Sequence, residues 1–295
     1  MHLVSIMDLN KPTVLHLLHR ASEMKYITNE PLKHRTMITL FYEPSTRTAC
    51  SFQSAMLRLG GSFISVPINQ SSIQKGESLQ DTIRTLCCYS DIIVLRHSEK
   101  GSVLEASKVS TKPLINGGDG TGEHPTQALL DLYTIQTELG RVDHLTITFM
   151  GDLTHGRTVH SLVRLLVHFK NIKVIYASSF PMTSEVVEYV ASFGIEQRVC
   201  SLEDALPETD VLYVTRIQKE RFLFHGTPEF INAEKMKLAK EKMIVMHPLP
   251  RNEELSTDID EDPRCVYFKQ MEHGMYMRMA ILEYYLSIDY DKTYT

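Results

Sequence analysis

The residues best placed to do chemistry form a short polar segment after an apolar run. The run is Met37–Tyr42, and the segment holds three hydroxyls and one guanidinium: Ser45, Thr46, Arg47 and Thr48. Apolar residues then recur at helical spacing, which predicts a helix that begins here and ends at Gly60-Gly61. The free N–H groups of its first turn and the positive end of its dipole favour an anion such as phosphate. A capped helix with Arg47 in solvent is the alternative interpretation.

Five arginines follow predicted strands in both halves of an otherwise acidic chain. They are Arg47, Arg96, Arg157, Arg216 and Arg251. Open α/β sheets bind ligands beyond the carboxyl ends of their strands, and a guanidinium suits phosphate and carboxylate alike. The set predicts a polyanion held between two sheets, although salt bridges within the protein would explain one or two of the arginines.

Two further polar segments also follow predicted strands. His124 precedes Pro125 at a predicted helix start, where the helix dipole disfavours an imidazolium. We therefore expect a neutral hydrogen-bond donor there, with a capping histidine as the alternative. In the turn His247-Pro248-Leu249-Pro250, two prolines fix the direction of the carbonyl groups. Carbonyls presented in this way can accept hydrogen bonds from a substrate NH₂ group.

Composition and charge exclude several classes of protein. The chain of 295 residues is 43% hydrophobic and 23% charged, with a formal net charge of −5, which is typical of a globular protein of about two domains. The charge argues against nucleic acid or an anionic membrane as a partner. We recognise neither a secretory peptide nor an apolar run of the ~20 residues that a membrane helix needs. The five cysteines form no C-x-x-C pair, which predicts reduced thiols in the cytoplasm, and the histidines lack neighbours at metal-site spacing.

The elements that must position these residues alternate along the whole chain. Apolar runs followed by helical patterns predict an α/β protein of two similar-sized domains, each a mostly parallel sheet flanked by helices, with the active site in the cleft between them. The predicted strands are Met37–Tyr42, Ser62–Val66, Asp91–Leu95, Pro113–Ile115, Leu145–Met150, Lys173–Tyr176, Val211–Val214, Met243–Met246 and Val266–Phe268. We predict domains at residues 1–140 and 141–273, with a last helix, about 274–290, packing back onto the first domain.

Taken together, the segments resemble the catalytic chain of the aspartate carbamoyltransferases. The matching motifs are Ser45-Thr46-Arg47-Thr48, Ser71-Ser72-Ile73-Gln74-Lys75-Gly76-Glu77, Arg96-His97, His124-Pro125-Thr126-Gln127, Gly156-Arg157-Thr158-Val159-His160-Ser161, Thr215-Arg216-Ile217-Gln218 and His247-Pro248-Leu249-Pro250-Arg251. They occur in the order of the family and cover nearly the whole chain. The motif around Lys75 is similar to the version found in large multi-enzyme pyrimidine-synthesis polypeptides. Whether the chain is a separate enzyme or one domain of such a polypeptide stays open at this stage, as does allosteric regulation.

The resemblance implies a reaction between carbamoyl phosphate and L-aspartate that gives N-carbamoyl-L-aspartate and phosphate, without a cofactor or metal. It assigns the phosphate to Ser45, Thr46, Arg47 and Thr48. It assigns the carbamoyl oxygen to Thr48, Arg96 and His124, where preorganised donors would stabilise the developing negative charge. The carbamoyl NH₂ group would bind Gln127 and the carbonyls of Pro248 and Leu249.

The same resemblance implies the remaining roles and a quaternary structure. Arg157, Arg216 and Gln218 would bind the two carboxylates of aspartate. Ser71 and the catalytic Lys75 would come from a neighbouring subunit of a homotrimer with shared active sites, and Glu43 would brace Arg157 and Arg221. One departure is Thr154, where many members of the family carry a lysine that helps to hold the domains closed.

Three alternative functions differ in the residues they require. An ornithine carbamoyltransferase normally has a cysteine at the position of Leu249 and selects an amine-bearing side chain, whereas Arg216 and Gln218 suit a dicarboxylate. A dinucleotide-dependent oxidoreductase would fit the glycines after the strand at Leu145–Met150, but the chain lacks G-x-G-x-x-G. A catalytically inactive scaffold domain is disfavoured because Arg47, Arg96, His124 and Lys75 are all present.

Overall fold

The computed structural model describes residues 1–217 and 229–292, with side chains described to residue 287. The chain forms two compact units. Unit 1 consists of Met1–Leu130 and Met271–Thr295, and unit 2 consists of Asp131–Gln270. Each unit contains one parallel sheet with helices around it, which confirms the predicted fold class of two α/β domains. The predicted domain limits at residues 140 and 273 stay a prediction.

Unit 1 is built on a sheet of four parallel strands. The strands are β1 (Thr36–Phe41), β2 (Ser62–Val66), β3 (Ile92–His97) and β4 (Leu114–Asp119), in the order β2-β1-β3-β4. The helices are α1 (Lys11–Met24), α2 (Thr46–Arg58), α3 (Leu79–Cys87), α4 (Ser102–Ser107), the first part of α5 (Pro125–Leu139) and the later part of α9 (Tyr267–Lys292). The central strands are apolar along their length because helices cover the faces of a parallel sheet. Ile38, Leu40, Ile93 and Leu95 are accordingly buried in one core cluster.

Unit 2 is built on a sheet of five parallel strands. The strands are β5 (Thr146–Gly151), β6 (Lys173–Tyr176), β7 (Glu196–Val199), β8 (Val211–Thr215) and β9 (Ile244–Met246), in the order β7-β6-β5-β8-β9. The helices entirely within the unit are α6 (Arg157–Leu165), α7 (Ser184–Ser192) and α8 (Leu202–Ala205). Strands β5 and β8 are central and buried, and each is followed by a segment that the sequence motifs single out. Because the strands are parallel, those segments lie together at the carboxyl ends of the strands.

Two predicted elements differ from the structure, each for a physical reason. Val266–Phe268 is not a strand: Tyr267 and Phe268 begin the last helix, and the N–H of Gln270 donates to the carbonyl of Val266 over 2.8 Å. Aromatic and β-branched residues have an intrinsic preference for strands. Here, however, Val266 and Tyr267 are buried, and they pack at the start of a helix. The sequence analysis also missed β7, whose residues are mostly exposed because it lies at the edge of the sheet.

The later part of the last helix packs within unit 1. The Arg278 guanidinium lies 5.2 Å from the centre of the Phe52 ring, and Arg20 on α1 binds Glu283 through two hydrogen bonds, one of them 2.7 Å long. Aromatic and methionine side chains of this helix are buried at helical spacing, as expected of a core helix. Within the described residues, no helix is both long enough and apolar enough to span a membrane.

Candidate active site

The predicted phosphate turn begins α2, directly after the central strand β1 of unit 1. Ser45 is the N-cap by backbone conformation, but its side chain makes no capping hydrogen bond. Cap hydroxyls normally bind an N–H of the first helical turn, and the Ser45 hydroxyl does not. Thr46 and Arg47 are exposed, and Thr48 is buried. The turn has the polarity and the donors that an oxyanion needs.

Arg96 is the penultimate residue of β3 and is held from two sides. Its Nη2 lies 2.6 Å from Glu43 Oε1, and its Nη1 donates to the carbonyl of Gly117 over 3.0 Å. Gly117 lies in β4, and a Cβ added there would come within 3.6 Å of the Thr48 methyl group. The structure therefore brings Thr48 and Arg96 together at the ends of adjacent strands. Sequence reasoning had linked Glu43 to Arg157 and Arg221 and missed its ion pair with Arg96; the first link stays a prediction, and Arg221 lies outside the described residues.

His124 directly precedes α5, where the sequence predicts a helix start. Its side chain is 4% exposed, and its backbone carbonyl accepts from the N–H groups of Gln127 and Ala128. Gln127 is also buried. A closed turn fixes this region, because the N–H of Asp119 at the end of β4 donates to the carbonyl of Glu123. His124 and Gln127 thus follow the third of three adjacent strands, while the predicted neutral state of His124 stays a prediction.

Lys75 and Ser71 lie between β2 and α3, on the edge side of the unit 1 sheet. Lys75 ends a short 3₁₀ helix, Ser72–Lys75, and its side chain is exposed. Within the described part of the chain, the ammonium group of Lys75 makes no hydrogen bond or ion pair. The Ser71 hydroxyl donates to the carbonyl of Ile68 over 2.9 Å, which closes the loop on itself. The loop thus presents an ammonium group that unit 1 does not neutralise.

In unit 2, Arg157 is the first residue of α6 and follows β5 through a tight turn. Asp152 Oδ1 accepts hydrogen bonds from both the backbone N–H and the Nδ1 of His155. Burial lowers the pKa of His160, whose neutral ring donates from Nε2 to the carbonyl of Leu153. The turn is therefore fixed from inside by two buried polar side chains, and Arg157 begins the helix at its end.

The residue at the lysine position of the family also contributes to this region. Thr154 donates its hydroxyl to the carbonyl of Pro181 over 2.7 Å. The short side chain thus binds a loop of its own unit. Its consequence for the relation between domains stays a prediction.

Arg216 directly follows the other central strand, β8. Gly151 at the end of β5 is paired in register with Thr215, and a Cβ added to Gly151 would lie 1.8 Å from the Thr215 carbonyl oxygen. The two strand ends therefore approach as closely as only glycine allows, and Arg157 and Arg216 follow neighbouring strands. Gln218, the third predicted ligand of aspartate, lies outside the described residues.

The turn after β9 has a fixed backbone. His247 is fully buried, its Nδ1 accepts from the N–H of Leu249 over 2.8 Å, and its Nε2 lies 3.0 Å from Glu254 Oε1. Leu249 has a φ of 53°, which is uncommon for a branched residue. Pro248 and Leu249 are half-buried at the carboxyl end of the sheet. Their carbonyl groups are therefore held in defined directions.

Arg251, the fifth arginine of the sequence pattern, has a partner within unit 2. It makes a two-point contact with the Asp260 carboxylate, with an Nη2 to Oδ2 distance of 2.7 Å, and its guanidinium lies 5.5 Å from the centre of the Tyr267 ring. This contact lowers the pKa of Asp260 to about 2 and raises that of Arg251. Arg251 is thus one of the structural salt bridges that the sequence analysis allowed for.

The described residues offer no site for a metal ion. Among residues 1–217 and 229–292, no group of three or more His, Cys, Asp or Glu side chains is arranged to hold one.

Two family models match the chain in succession. The carbamoyl-phosphate-binding domain of the aspartate/ornithine carbamoyltransferases matches residues 1–137, and the Asp/Orn-binding domain of the same proteins matches residues 143–285. The chain belongs to the aspartate/ornithine carbamoyltransferase family.

Individual relatives place the chain among the aspartate members of this carbamoyltransferase family. The aspartate carbamoyltransferase catalytic subunit of Methanocaldococcus jannaschii is 46% identical, and the match covers 96% of both proteins. The multifunctional protein CAD of Squalus acanthias is 49% identical over 95% of this chain. The chain spans only 13% of that multifunctional protein.

Solved structures agree with the sequence relatives. The aspartate transcarbamoylase of Trypanosoma cruzi in complex with carbamoyl aspartate and phosphate is 47% identical and has a TM-score of 0.91, covering 96% of this chain and 94% of that chain. The resemblance inferred from the motifs is therefore confirmed.

Proposed function

We propose that this chain transfers the carbamoyl group of carbamoyl phosphate to the amino group of L-aspartate, an early step of pyrimidine biosynthesis. The observation that carries the proposal is the placing of cationic and hydroxyl groups after adjacent parallel strands in each unit, in a chain 46% identical to an aspartate carbamoyltransferase catalytic subunit. Ligands of open α/β sheets bind at these strand ends. We further propose that the two sets of residues face one cleft.

The residues of unit 1 would bind carbamoyl phosphate. The first turn of α2, with Ser45, Thr46 and Arg47, binds the phosphate through hydroxyls, the guanidinium and backbone N–H groups. Thr48, Arg96 and His124 donate to the carbamoyl oxygen. Charge builds on that oxygen during the reaction, and removing one such donor typically costs about 3 kcal/mol of barrier.

The residues of unit 2 would bind aspartate and orient the carbamoyl group. Arg157, Arg216 and Gln218 bind the two carboxylates, which disfavours the amine-bearing side chain of ornithine. The carbonyls of Pro248 and Leu249, together with Gln127 of unit 1, accept from the carbamoyl NH₂ group. The fixed backbone of the turn after β9 supports this role.

The reaction needs no covalent intermediate on the protein. The aspartate nitrogen forms a bond to the carbamoyl carbon, the bond from that carbon to the phosphate oxygen breaks, and phosphate leaves with the electron pair. The departing phosphate accepts the proton that the amine loses. Most of the acceleration therefore comes from positioning two anionic reactants and from stabilising charge on the carbonyl oxygen.

We also propose a cytoplasmic homotrimer in which Ser71 and Lys75 complete the site of a neighbouring subunit. The exposed ammonium group of Lys75, which has no partner among the described residues of its own chain, supports this arrangement. The five free cysteines are consistent with a reducing compartment. By analogy with the multifunctional relatives, further catalytic domains of pyrimidine synthesis are possible neighbours in a longer polypeptide.

A product assay tests the proposed function. Purified protein with carbamoyl phosphate should form carbamoyl aspartate from L-aspartate and no citrulline from ornithine, with release of one phosphate for each product molecule. Faster product formation from ornithine than from aspartate would identify the chain as an ornithine carbamoyltransferase. No product from either amino acid would favour the scaffold alternative, and binding of a nicotinamide dinucleotide in a titration would favour the oxidoreductase.

A bisubstrate mimic tests whether the two anion sites act together. N-(phosphonacetyl)-L-aspartic acid occupies the related enzyme of Trypanosoma cruzi. We expect it to inhibit this chain at concentrations far below those at which phosphate or succinate inhibits, because one ligand then satisfies both sets of arginines. Equal potency of the mimic and its halves would place the two sets in separate sites.

A further inference from the structure

A continuous set of buried polar residues runs through unit 2 behind the turn after β9. We call it the His247 network, and its members are Asp131, Tyr213, His247, Glu254 and Gln270. All five are between 0% and 3% exposed. They come from α5, β8, the segment after β9 and the first turns of α9, so the network joins four parts of the unit. Burying a polar group costs free energy unless it has a hydrogen-bond partner. The presence of five such side chains in one core therefore needs an explanation.

The donors and acceptors of this network can be assigned one by one. The Tyr213 hydroxyl donates to Asp131 Oδ2 over 2.8 Å, and Gln270 Nε2 donates to Asp131 Oδ1 over 2.6 Å. The Gln270 oxygen in turn accepts from the N–H of His247 over 2.9 Å. Because a carboxylate only accepts and a backbone N–H only donates, the orientation of the Gln270 amide is fixed.

The tautomer of His247 follows from the same reasoning. Nδ1 faces the N–H of Leu249 and must accept, so the proton is on Nε2 and is donated to Glu254 Oε1. The same Glu254 oxygen accepts from the N–H of Asn252 over 2.8 Å. Burial of Glu254 favours its neutral form, but the hydrogen bonds from His247 and Asn252 outweigh this effect and lower its pKa. Glu254 is therefore an ionised acceptor.

The two ends of the network lie beside the proposed substrate ligands. At one end, Leu249 is held at positive φ by the hydrogen bond to His247 Nδ1. At the other, Thr158, which directly follows Arg157 in α6, lies within hydrogen-bonding reach of the Tyr213 oxygen. Burial, and then the Asp131 carboxylate, raise the pKa of Tyr213 well above 10, so this hydroxyl keeps its proton and its direction.

We infer that the His247 network is a positioning device for substrate: it fixes the carbonyls of Pro248 and Leu249 toward the carbamoyl NH₂ group and joins that turn to the start of α6. The inference rests on the proposed function. Glu254, Gln270, Asp131 and Tyr213 act through other residues and are positioning residues. The phosphate-binding turn belongs to the other unit, so the network should affect the carbamoyl group and leave the binding of phosphate unchanged.

Glu254 provides the sharpest test because one of its oxygens accepts both hydrogen bonds. Glu254→Gln keeps an acceptor oxygen for His247 and Asn252, whereas Glu254→Leu removes it at similar volume. We expect the KM for carbamoyl phosphate to rise about tenfold in Glu254→Leu and to stay near native in Glu254→Gln, since an unmet buried hydrogen bond has about this effect. The inhibition constant of inorganic phosphate should be unchanged in both.

The control is a carboxylate at the amino ends of the strands of the same sheet. Asp210 Oδ2 accepts from the N–H of Thr146, and its Oδ1 binds Lys240. Asp210→Asn should lower the midpoint of urea unfolding without changing the ratio of KM for carbamoyl phosphate to the inhibition constant of phosphate. If Glu254→Leu behaves like this control, the network is structural only and the inference is wrong. Failure of the proposed function would instead appear as absence of product from the unmodified protein.

Tyr213→Phe tests the other end and keeps the aromatic packing. It removes the hydroxyl between Thr158 and Asp131, so we expect the KM for aspartate to rise several-fold while the phosphate inhibition constant stays native. If the folded Tyr213→Phe variant has an unchanged KM for aspartate, the network does not position the start of α6, and that part of the inference is wrong.

Discussion

At the scale of single residues, the same side chain has two different uses at helix starts. Ser78 and Ser201 each accept a hydrogen bond from the N–H three residues later and so cap α3 and α8. Ser45 occupies the same position at α2, but its hydroxyl makes no such bond. A cap hydroxyl contributes about 1 kcal/mol to a helix, and Ser45 does not supply this contribution. The difference falls at the turn that we propose binds phosphate.

Arg47→Ala tests the role of this turn. The guanidinium should stabilise the phosphate through charged hydrogen bonds, so we expect turnover to fall by about two to three orders of magnitude. The fold should be unchanged because Arg47 is exposed. Steady-state kinetics and thermal unfolding measure the two effects. Arg84→Ala, at an exposed arginine paired with Asp81 on α3, is the matched control and should keep native activity.

The residue scale also shows what the sequence could and could not predict at the site. The sequence identified candidate site residues because each follows a predicted strand, and a parallel sheet brings the carboxyl ends of its strands together. These residues are Arg47, Arg96, Arg157 and Arg216. Partners distant in sequence were not predictable: nothing in the chain links Glu43 to Arg96 or Arg251 to Asp260. Glu254 was missed for a related reason, since a glutamate in a polar segment resembles any surface residue until burial is known.

At the scale of secondary-structure elements, the ends of β5 and β8 are set by Gly151. Its φ of 102° lies in the region that side chains rarely adopt, and an added Cβ would overlap the Thr215 carbonyl. Any larger residue must push the end of β5 away from β8. The two segments that carry Arg157 and Arg216 would then separate.

Gly151→Ala should therefore cost both stability and activity. Backbone strain contributes about 1–3 kcal/mol, and the overlap with Thr215 adds to it. We expect a loss of more than about 3 kcal/mol in the free energy of unfolding, measured with urea. Gly140→Ala is the control: Gly140 also has positive φ, at 71°, but a Cβ there meets no atom within 4 Å. The idea fails if the two variants lose equal stability.

The contact between Arg251 and Asp260 predicts a defined dependence of stability on pH. The pKa of Asp260 falls from 3.8 to about 2 on folding, so the unfolded chain binds the proton more readily. The stabilisation is complete above pH 4 to 5 and disappears as the pH falls from 4 toward 2. The difference in unfolding free energy between the native protein and Asp260→Asn should shrink over this range. A difference that is independent of pH would contradict the pairing.

Elements with clear periodicity were predicted well, and those defined by tertiary packing were not. The predicted strand Lys173–Tyr176 agrees with β6 at both ends because apolar residues cover both of its faces. By contrast, β7 has an edge position and an exposed Val199, which removes the apolar signal. The start of α9 was mistaken for a strand because Val266, Tyr267 and Phe268 favour strands intrinsically, and only their packing decides otherwise.

At the scale of the whole molecule, the two units repeat one arrangement. The orders β2-β1-β3-β4 and β6-β5-β8-β9 are equivalent. Asp91 and Asp210 directly precede the third strand of each order. Each carboxylate accepts from the N–H of the first residue of the second strand, at 2.8 Å. Arginines lie at the carboxyl ends of equivalent strands: Arg47 and Arg157 follow one, and Arg96, within the end of β3, and Arg216, after β8, belong to the next. One architecture thus carries both of the proposed anion sites.

The proposed sharing of sites between subunits predicts complementation. Lys75→Ala and Arg47→Ala should each be nearly inactive as pure oligomers. Mixed oligomers should regain partial activity, because some sites then receive Arg47 from one chain and Lys75 from another. Activity is measured after the two variants are dissociated and reassembled together, with each variant reassembled alone as the control. Verified hybrids without regained activity would show that each chain completes its own site.

The discontinuity of unit 1 has a consequence for synthesis of the chain. Its strands all lie before residue 120, yet the helix segment that packs on Phe52 and Arg20 begins at Met271. Domains fold as units as they leave the ribosome, so unit 2 can complete its sheet on the nascent chain first. The half that would bind carbamoyl phosphate is translated early but waits for the last helix before its core can close.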